Sequence, residues 1–371
     1  MRVLVVNSGS VSLKVSLHDA DADGSQELGA WKQPLAGRGY RNAFMRIAGE
    51  IGDTTMATVE AVGHRIVNGG PYTQPTRLNE GVRKAIVGAE ELAPLHNRAA
   101  LEALEAVSEQ LPHRPAAAVF DTGFHATMPD VASRYALPAD LAQQQRIRRY
   151  GYHGIAHQSM LEQYAERTGG HPDACTIITL QLGGGCSACA IRDGRSVDTS
   201  MGFTPLEGLM MATRSGSLDP AVVTYLQRTS GTSPDEVDAL LNQRSGLLGV
   251  SGLTGDVADL LRVEAEGNKS AALALEMFCY RVRQYIGAYM AVVEPQAIVF
   301  GGGIGEHAPE IRRRIITPLR HLGLSLEAVA NDRALGRAGR VDDGSGTQIW
   351  VVATDEAAII ARETARVLHA G

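Results

Sequence analysis

A strand, glycine turn, strand unit occurs twice in this chain, once at its start and once near its middle, and any fold must accommodate both copies. RVLVV at 2–6 is a short apolar strand running into NSGSVSLK at 7–14. A second strand then leaves with Leu13, Val15 and Leu17 on one face and Ser12, Lys14 and Ser16 on the other. TIITL at 176–180 breaks in the same way into QLGGGCS at 181–187, then resumes as ACAI at 188–191 before a turn at Asp193 and Gly194. Two such units on either side of the midpoint predict a duplicated α/β architecture with two phosphate-facing hairpins across a cleft. In the first unit Gly9 permits a tight turn, so main-chain N–H groups and the Ser8, Ser10 and Ser12 hydroxyls converge on one anion. Lys14 adds positive charge, and Asn7 offers a neutral oxygen suited to Mg²⁺ or phosphate. By itself the segment reads equally well as an ordinary Ser-Gly hairpin.

A third strand-to-glycine event, AIVF at 297–300 into GGGIGE at 301–306, precedes a helix expected from about Pro309. Helices alternate with strands elsewhere. Asn97 is expected to cap a helix carrying Leu101, Leu104, Val107 and Leu111, and Ser233 to Glu236 reads as a capping box with proline at the first helical position. Residues 268–293 predict a long amphipathic helix whose core face is Leu273, Met277, Tyr280, Ile286 and Met290, and a last helix starts near Asp355. At 371 residues the chain exceeds one core. The expected division is 1–150 plus about 357–371, and 151–356 carrying the nucleotide side.

A net charge of −6 and the lack of a dense basic cluster exclude a nucleic-acid surface; Arg146, Arg148 and Arg149 form the one basic knot, which reads as a solvated loop. Cys186 and Cys189 have CxxC spacing but sit in a strand-like run without a second Cys or His pair, so metal or redox chemistry is not expected there. No run reaches the ~18 apolar residues of a membrane span. The N-terminal apolar run is strand-length and lacks a cleavage pattern, so a cytoplasmic protein is expected.

Three further segments bring charge to strand ends. GHRIVNGG at 63–70 sets Arg65 inside a strand-like run, where an unpaired charge is costly. AAAVF at 116–120 delivers Asp121 at its carboxyl end, where open α/β sheets bind ligands. DTSMGFTP at 198–205 leads to Arg214 within ATRSG at 212–216, a small-residue loop suited to bidentate contact with phosphate or carboxylate. Taken singly, each arginine has a structural reading as an ion-pair partner, Asp121 as a turn cap, and His96 or His153 as a core imidazole. Together, two arginines, a strand-end carboxylate and three glycine turns point to phosphoryl transfer, which relies on positioning and charge neutralisation.

The chain resembles the acetate kinase family over nearly its full length. NSGSVSLK at 7–14 is similar to the family's NSGSSSLK, GHRIVNGG at 63–70 to GHRVVHGG, and LAPLHNR at 92–98 to LAPLHNP. VFDTGFHATMP at 119–129, RRYGYHGIAH at 148–157, DTSMGFTPLEGLMMATRSG at 198–216, GGGIGEH at 301–307 and TDEAAIIARET at 354–364 follow in collinear order. The resemblance implies duplicated actin-like (ribonuclease H-like) ATPase domains facing a central cleft. It implies direct transfer of the ATP γ-phosphoryl group to a small carboxylate. By resemblance, Arg65 and Arg214 share the phosphoryl charge, Asp121 is the catalytic carboxylate and His153 binds phosphoryl oxygen. His96, Ser10, Ser12 and Lys14 give support, while Asn7 and Glu356 organise Mg²⁺, for which Mn²⁺ can substitute. Val67, Leu95, Tyr152 and Pro205 line the acyl pocket. Gly183, Gly184, Gly185, Asp256, Val257, Ala258, Gly303, Ile304, Gly305 and His307 face the nucleotide, and a homodimer is expected.

The departures cluster. The family's HLGNG is QLGGG at 181–185, its aspartate-aromatic-arginine segment is Asp256, Val257 and Ala258, and His307 replaces an asparagine. Lost stacking and cation–π contacts are worth on the order of 1 kcal/mol each. They leave open a donor other than ATP, such as pyrophosphate. On the acyl side Tyr152 stands for phenylalanine beside Asn68 for histidine, and Ile155 and Ala156 replace threonine and serine. Propionate or a hydroxy acid is thus an alternative to acetate. A non-catalytic ligand-binding relative is a third reading, which the retained reaction core argues against.

Overall fold

In a computed structural model the described residues are 1–9, 12–35, 39–92 and 94–369, with backbone alone for 92 and 94–96. The chain divides into two compact units. Met1–Ala126, Tyr152–Ser159 and the chain from Asp355 on form the first; Thr127–Gly151 and Met160–Thr354 form the second.

The first unit holds β1 (Arg2–Ser8), β2 (Ser12–Ala20), β3 (Ser25–Pro34), β4 (Ala61–Ile66), β5 (Thr76–Arg77) and β6 (Ala116–Phe120), in the order β3-β2-β1-β4-β6-β5. The second holds β7 (Ile177–Leu182), β8 (Cys186–Arg192), β9 (Arg195–Thr199), β10 (Ala297–Gly301), β11 (Gly339–Arg340) and β12 (Gln348–Val351), in the order β11-β12-β10-β7-β8-β9. Read from the other edge, the second order repeats the first. The strand directions repeat too: β1, β4 and β6 are parallel, as are β7, β10 and β12, and the outer strands are antiparallel in both sheets. Even the register irregularity recurs, between Leu17 and His18 in β2 and between Ala190 and Ile191 in β8, each after the fifth residue counted from the hairpin's last β1–β2 or β7–β8 pair. The duplication expected from the two glycine turns is present.

β1 is apolar at successive positions because both its faces are covered. Leu4 and Val6 pack with Phe44 and Ile47 of the helix Gly39–Ile51, while Val3 and Val5 pack with Ile359 and Ile360 of the helix Glu356–His369. That last helix lies directly on β4 at Gly63, where a Cβ would stand 2.4 Å from Thr364 Oγ1 and 2.9 Å from Ile360 Cγ2. Asp355 Oδ1 accepts from Ala358 N at 2.9 Å and starts the helix where the sequence placed it.

Two local expectations are corrected, those for Asn97 and for the face of the long helix. Asn97 caps nothing: its helix runs Pro94–Gln110, and Asn97 is buried inside it, bonded to another segment. The helix expected from about Pro309 is present as Pro309–Ile316, and the glycine run before it forms a short helix of its own, Gly302–His307. The long helix Lys269–Val292 buries Ala271, Ala274, Leu275, Phe278, Cys279, Val282, Ile286 and Tyr289 and leaves Leu273, Met277 and Tyr280 exposed. Of the expected core face Ile286 is buried and Met290 half-buried, and the buried stripe runs instead through Leu275, Phe278 and Val282. The capping box at Ser233 and Glu236 is present as read. Among the described residues no helix is long and apolar enough to cross a membrane.

Candidate active site

In the first unit, three neighbouring parallel strands end in Asn7, Arg65 and Asp121. Arg65 grips Asp121 at two points, Nε to Oδ1 at 3.0 Å and Nη2 to Oδ2 at 2.5 Å, and its Nη1 donates to Asn7 Oδ1 at 3.1 Å. Asn7 Nδ2 donates to Glu356 Oε2 at 3.1 Å, and Glu356 Oε2 lies 3.9 Å from Arg65 Nε. The cost of a charge inside β4 is met by this two-carboxylate setting. Burial pushes the Asp121 carboxyl up to about 6, with Glu356 adding to the rise and Arg65 resisting it. Burial works against the Arg65 charge, but Asp121 and Glu356 outweigh it and hold that guanidinium above its ordinary value.

Among the described residues His153 is one of three non-glycine residues with positive φ, at 58°. A left-handed backbone there costs on the order of 1–3 kcal/mol and is kept where surroundings impose it. What imposes it is Asp121: the His153 main-chain N–H bonds its carboxylate, and Gly154 N donates to Asp121 O at 2.8 Å. A Cβ on Gly154 would stand 2.2 Å from that same oxygen, so only glycine fits. His125, which the sequence did not single out, steadies this turn through Nε2 to Tyr152 O at 3.1 Å.

Tyr152 and Asn68 are both buried, and Asn68 Nδ2 donates to the Tyr152 hydroxyl at 3.3 Å. Asn97 holds the Asn68 main chain from both sides, accepting from Asn68 N at 3.1 Å and donating to Asn68 O at 2.8 Å. Val67 is buried beside them in sequence. Ser12 is buried, Lys14 is exposed, and Gly9 N donates to Ser12 O at 2.9 Å across the hairpin. Ser10 and the side chains of Leu95 and His96 lie outside the described residues.

In the second unit Gly183, Gly184 and Gly185 turn between β7 and β8, with Gly183 N donating to Gly185 O at 3.1 Å and Ala212 N to Gly184 O at 3.2 Å. Arg214 Nη1 donates to Pro205 O at 3.1 Å. Asp256 caps the helix Val257–Ala265 by accepting from Asp259 N at 3.0 Å, and Val257 is buried. Gly303, Ile304 and Gly305 lie in the short helix Gly302–His307, which His307 closes with Nδ1 donating to Gly303 O at 3.2 Å. Arg312, fully buried and unremarked in the sequence, donates to Gly305 O at 2.7 Å and Asn331 O at 2.7 Å and pins that helix from below. Gln181 is bonded to Thr354, whose hydroxyl donates to Gln181 Oε1 at 3.2 Å. Cys186 is buried and pushed up to about 12, so it stays a thiol.

The arginine–carboxylate pair thus sits at the parallel strand ends of the first unit, within a duplicated α/β fold. The model of the Acetokinase family matches residues 31–362. The chain belongs to the acetate kinase family. It is 45% identical over 325 residues to an acetate kinase of Chloroherpeton thalassium, covering 86% of this chain and 78% of that protein. To an acetate kinase of Methanosarcina thermophila it is 39% identical, covering 100% of this chain and 97% of that one. Among solved structures, a propionate kinase from Francisella tularensis superposes with a TM-score of 0.90 at 34% identity, each chain covered to 99%. The acetate kinase of Porphyromonas gingivalis superposes with a TM-score of 0.87 at 33% identity, again over 99% of each chain. The duplicated fold is therefore the actin-like one of this family, and the protein is a phosphotransferase of the carboxylate kinase class.

Proposed function

We propose that this protein is an acetate kinase, transferring the γ-phosphoryl group of ATP to acetate and running the exchange in both directions. The observation that carries the reading is the two-point Arg65–Asp121 grip at the carboxyl ends of parallel strands, in a chain of this family. At neutral pH acetate has already lost its proton, so the reaction needs no general base. It needs two anions brought together and the charge of the passing phosphoryl group neutralised. One acetate oxygen forms the new O–P bond as the bond from phosphorus to the departing ADP oxygen breaks.

Arg65 is read as the guanidinium that meets phosphoryl oxygen. Asp121 and Asn7 fix its orientation, so its donors need no rearrangement as charge develops. Asp121 acts by holding Arg65 and the His153 turn. His153 and Arg214 are read as further phosphoryl contacts, with His96, Ser10, Ser12 and Lys14 supporting phosphate. Val67, Leu95, Tyr152 and Pro205 are read as acyl contacts. Gly183, Gly184, Gly185, Asp256, Val257, Ala258, Gly303, Ile304, Gly305 and His307 are assigned to the nucleotide.

Asn7 and Glu356 offer hard oxygen donors, and Glu356 is 21% exposed. Among the described residues no group of three His, Cys, Asp or Glu side chains surrounds a metal position. One carboxylate and one amide oxygen suit Mg²⁺, which keeps water and takes phosphate oxygens in place of a full protein cage. When bound there it would offset phosphate charge. A cytoplasmic homodimer completes the reading.

The test is hydroxylamine trapping of acyl phosphate with acetate, Mg²⁺ and a panel of ATP, GTP and pyrophosphate. Hydroxamate with ATP is expected. A second reading, a pyrophosphate-linked enzyme, is favoured by the burial of Val257, the use of Asp256 as a helix cap and the Gln181–Thr354 bond. Product with pyrophosphate and none with ATP would select it. No product with any donor, while nucleotide or acetate still raises the melting temperature, would leave a binding protein.

A further inference from the structure

Of the basic stretch Arg146, Arg148 and Arg149, the first two side chains are exposed and the third turns inward. Arg149 Nη1 donates to the carbonyls of Thr199 at 3.1 Å and Ser200 at 3.2 Å, and Nη2 donates to Glu207 Oε1 at 2.7 Å. One guanidinium thus ties both ends of the segment 199–207. Tyr135 closes the arrangement. Its hydroxyl bonds the other oxygen of Glu207 and accepts from Phe203 N at 2.8 Å, and its ring centroid lies 5.6 Å from the Arg149 guanidinium carbon. The packing leaves no slack: a Cβ on Gly202 would lie 1.6 Å from Glu207 Oε2 and 2.1 Å from the Tyr135 hydroxyl. Within the stapled segment, Pro205 O receives Arg214 Nη1 at 3.1 Å.

We propose that the Arg149–Glu207–Tyr135 cluster positions Arg214, by fixing the segment whose Pro205 carbonyl anchors that guanidinium. Charge-assisted bonds are short and geometrically demanding, which suits them to holding a loop in one conformation. A guanidinium that must already point at developing charge benefits from such a hold, because reorientation during the reaction would forfeit part of its effect. The three residues act through Arg214 and touch no substrate. The inference rests on reading Arg214 as a phosphoryl contact.

The experiment is a double-mutant cycle on the full-length protein, with ATP and acetate as substrates. Glu207→Gln is expected to lower kcat about tenfold or more while both KM values stay within about twofold, as loss of a preorganised group does. In an Arg214→Ala background the same substitution should lower kcat less than about twofold further, because the group it positions is gone. Tyr135→Phe, a milder change that keeps the ring, should show a smaller loss with the same non-additivity. Arg148→Ala, next door and exposed, should match the wild type. Equal fold losses in both backgrounds, or unchanged kcat with only a lowered melting temperature, would overturn the proposal and leave the cluster structural. Full activity in Arg214→Ala alone would instead overturn the role of Arg214 itself, and the proposal with it.

Discussion

At the carboxyl end of the first sheet, β1, β4 and the residue after β6 supply Asn7, Arg65 and Asp121. Strand register identifies the same three places in the second sheet. Ser8 pairs with Leu13 at the first hairpin as Leu182 pairs with Cys186 at the second, so Asn7 answers to Gln181. Gln181 is level with Gly301 on β10, as Asn7 is level with Arg65 on β4. Asp121 lies two residues past the partner of Arg65, and Thr354 lies two past the corresponding position on β12. One end reads Asn, Arg, Asp; the other reads Gln, Gly, Thr. In the first, charged side chains meet across the strands. In the second, Thr354 Oγ1 accepts from Gly302 N at 3.1 Å and bonds Gln181, while Thr354 N donates to Glu306 Oε1 at 3.0 Å. The place that holds Arg65 in one sheet cannot hold even a methyl group in the other, since a Cβ on Gly301 would stand 2.5 Å from Met160 Sδ and 2.6 Å from Thr354 Oγ1. The same topology has been turned to two uses, one end presenting charge and the other presenting close-packed backbone.

Asp121→Asn strikes the charged end hardest. It keeps the shape but removes the charge that fixes Arg65, and kcat is expected to fall about 10³-fold, near the upper range for loss of one preorganised electrostatic group. The pH profile sharpens the point. With the Asp121 carboxyl raised to about 6, wild-type activity should show an acid limb near that pH, as protonation loosens the hold on Arg65. The residual activity of Asp121→Asn should lack it. Stability carries the opposite sign. The folded-state value lies above the ordinary 3.8, so the contribution of this group is fullest below that pH and is lost as pH rises through about 6. The melting-temperature advantage of wild type over Asp121→Asn should therefore shrink between pH 4 and 6. A flat difference would mean that Asp121 is ionised throughout and that the charged end is less strained than described.

Gly302→Ala tests the backbone end. Gly302 has φ of 74°, and its Cβ would stand 2.6 Å from Leu182 O and 2.9 Å from Gln181 Nε2. Strain and contact together should destabilise the protein by about 1–3 kcal/mol. The KM for nucleotide should rise roughly tenfold, which is about 1.4 kcal/mol of binding, while the KM for acetate stays put. A rise in the acetate KM alone would reverse the division of labour drawn from the two sheets.

The duplication was legible because it is written in local signals: period-two apolar residues, then glycine, twice. Arg65 and Asp121 were legible as charges at strand ends. That Glu356 joins Asn7 came from the family resemblance and from no local signal, because the two meet over most of the chain, and the Gln181–Thr354 bond, made over nearly half of it, was not read at all. Asn97 misled for a related reason. An asparagine at an apparent helix start is usually a cap, but this one spends its amide on Asn68 and Ile86 from within the helix. The basic knot hid Arg149 among exposed neighbours, because nothing local distinguishes an arginine that folds inward from one that does not.

The smallest expected effect concerns whether the charged end also selects the acceptor. Tyr152 and Asn68 depart together from the family's phenylalanine and histidine, and their side chains bond each other at 3.3 Å. Tyr152→Phe removes the acceptor for a buried amide N–H. The bond is long, so the cost should be near the low end of the range for an orphaned donor, about 1 kcal/mol, read as a small drop in melting temperature. If the hydroxyl also shapes the acyl contact, relative kcat/KM across acetate, propionate, lactate and glycolate should shift by about fivefold, the kinetic equivalent of a bond of that strength. Asn68→His with Tyr152→Phe would then move the preference further in the same direction. Unchanged ratios with the lowered melting temperature would make the pair a brace alone, and acceptor choice would have to be sought outside the Asn68–Tyr152 contact.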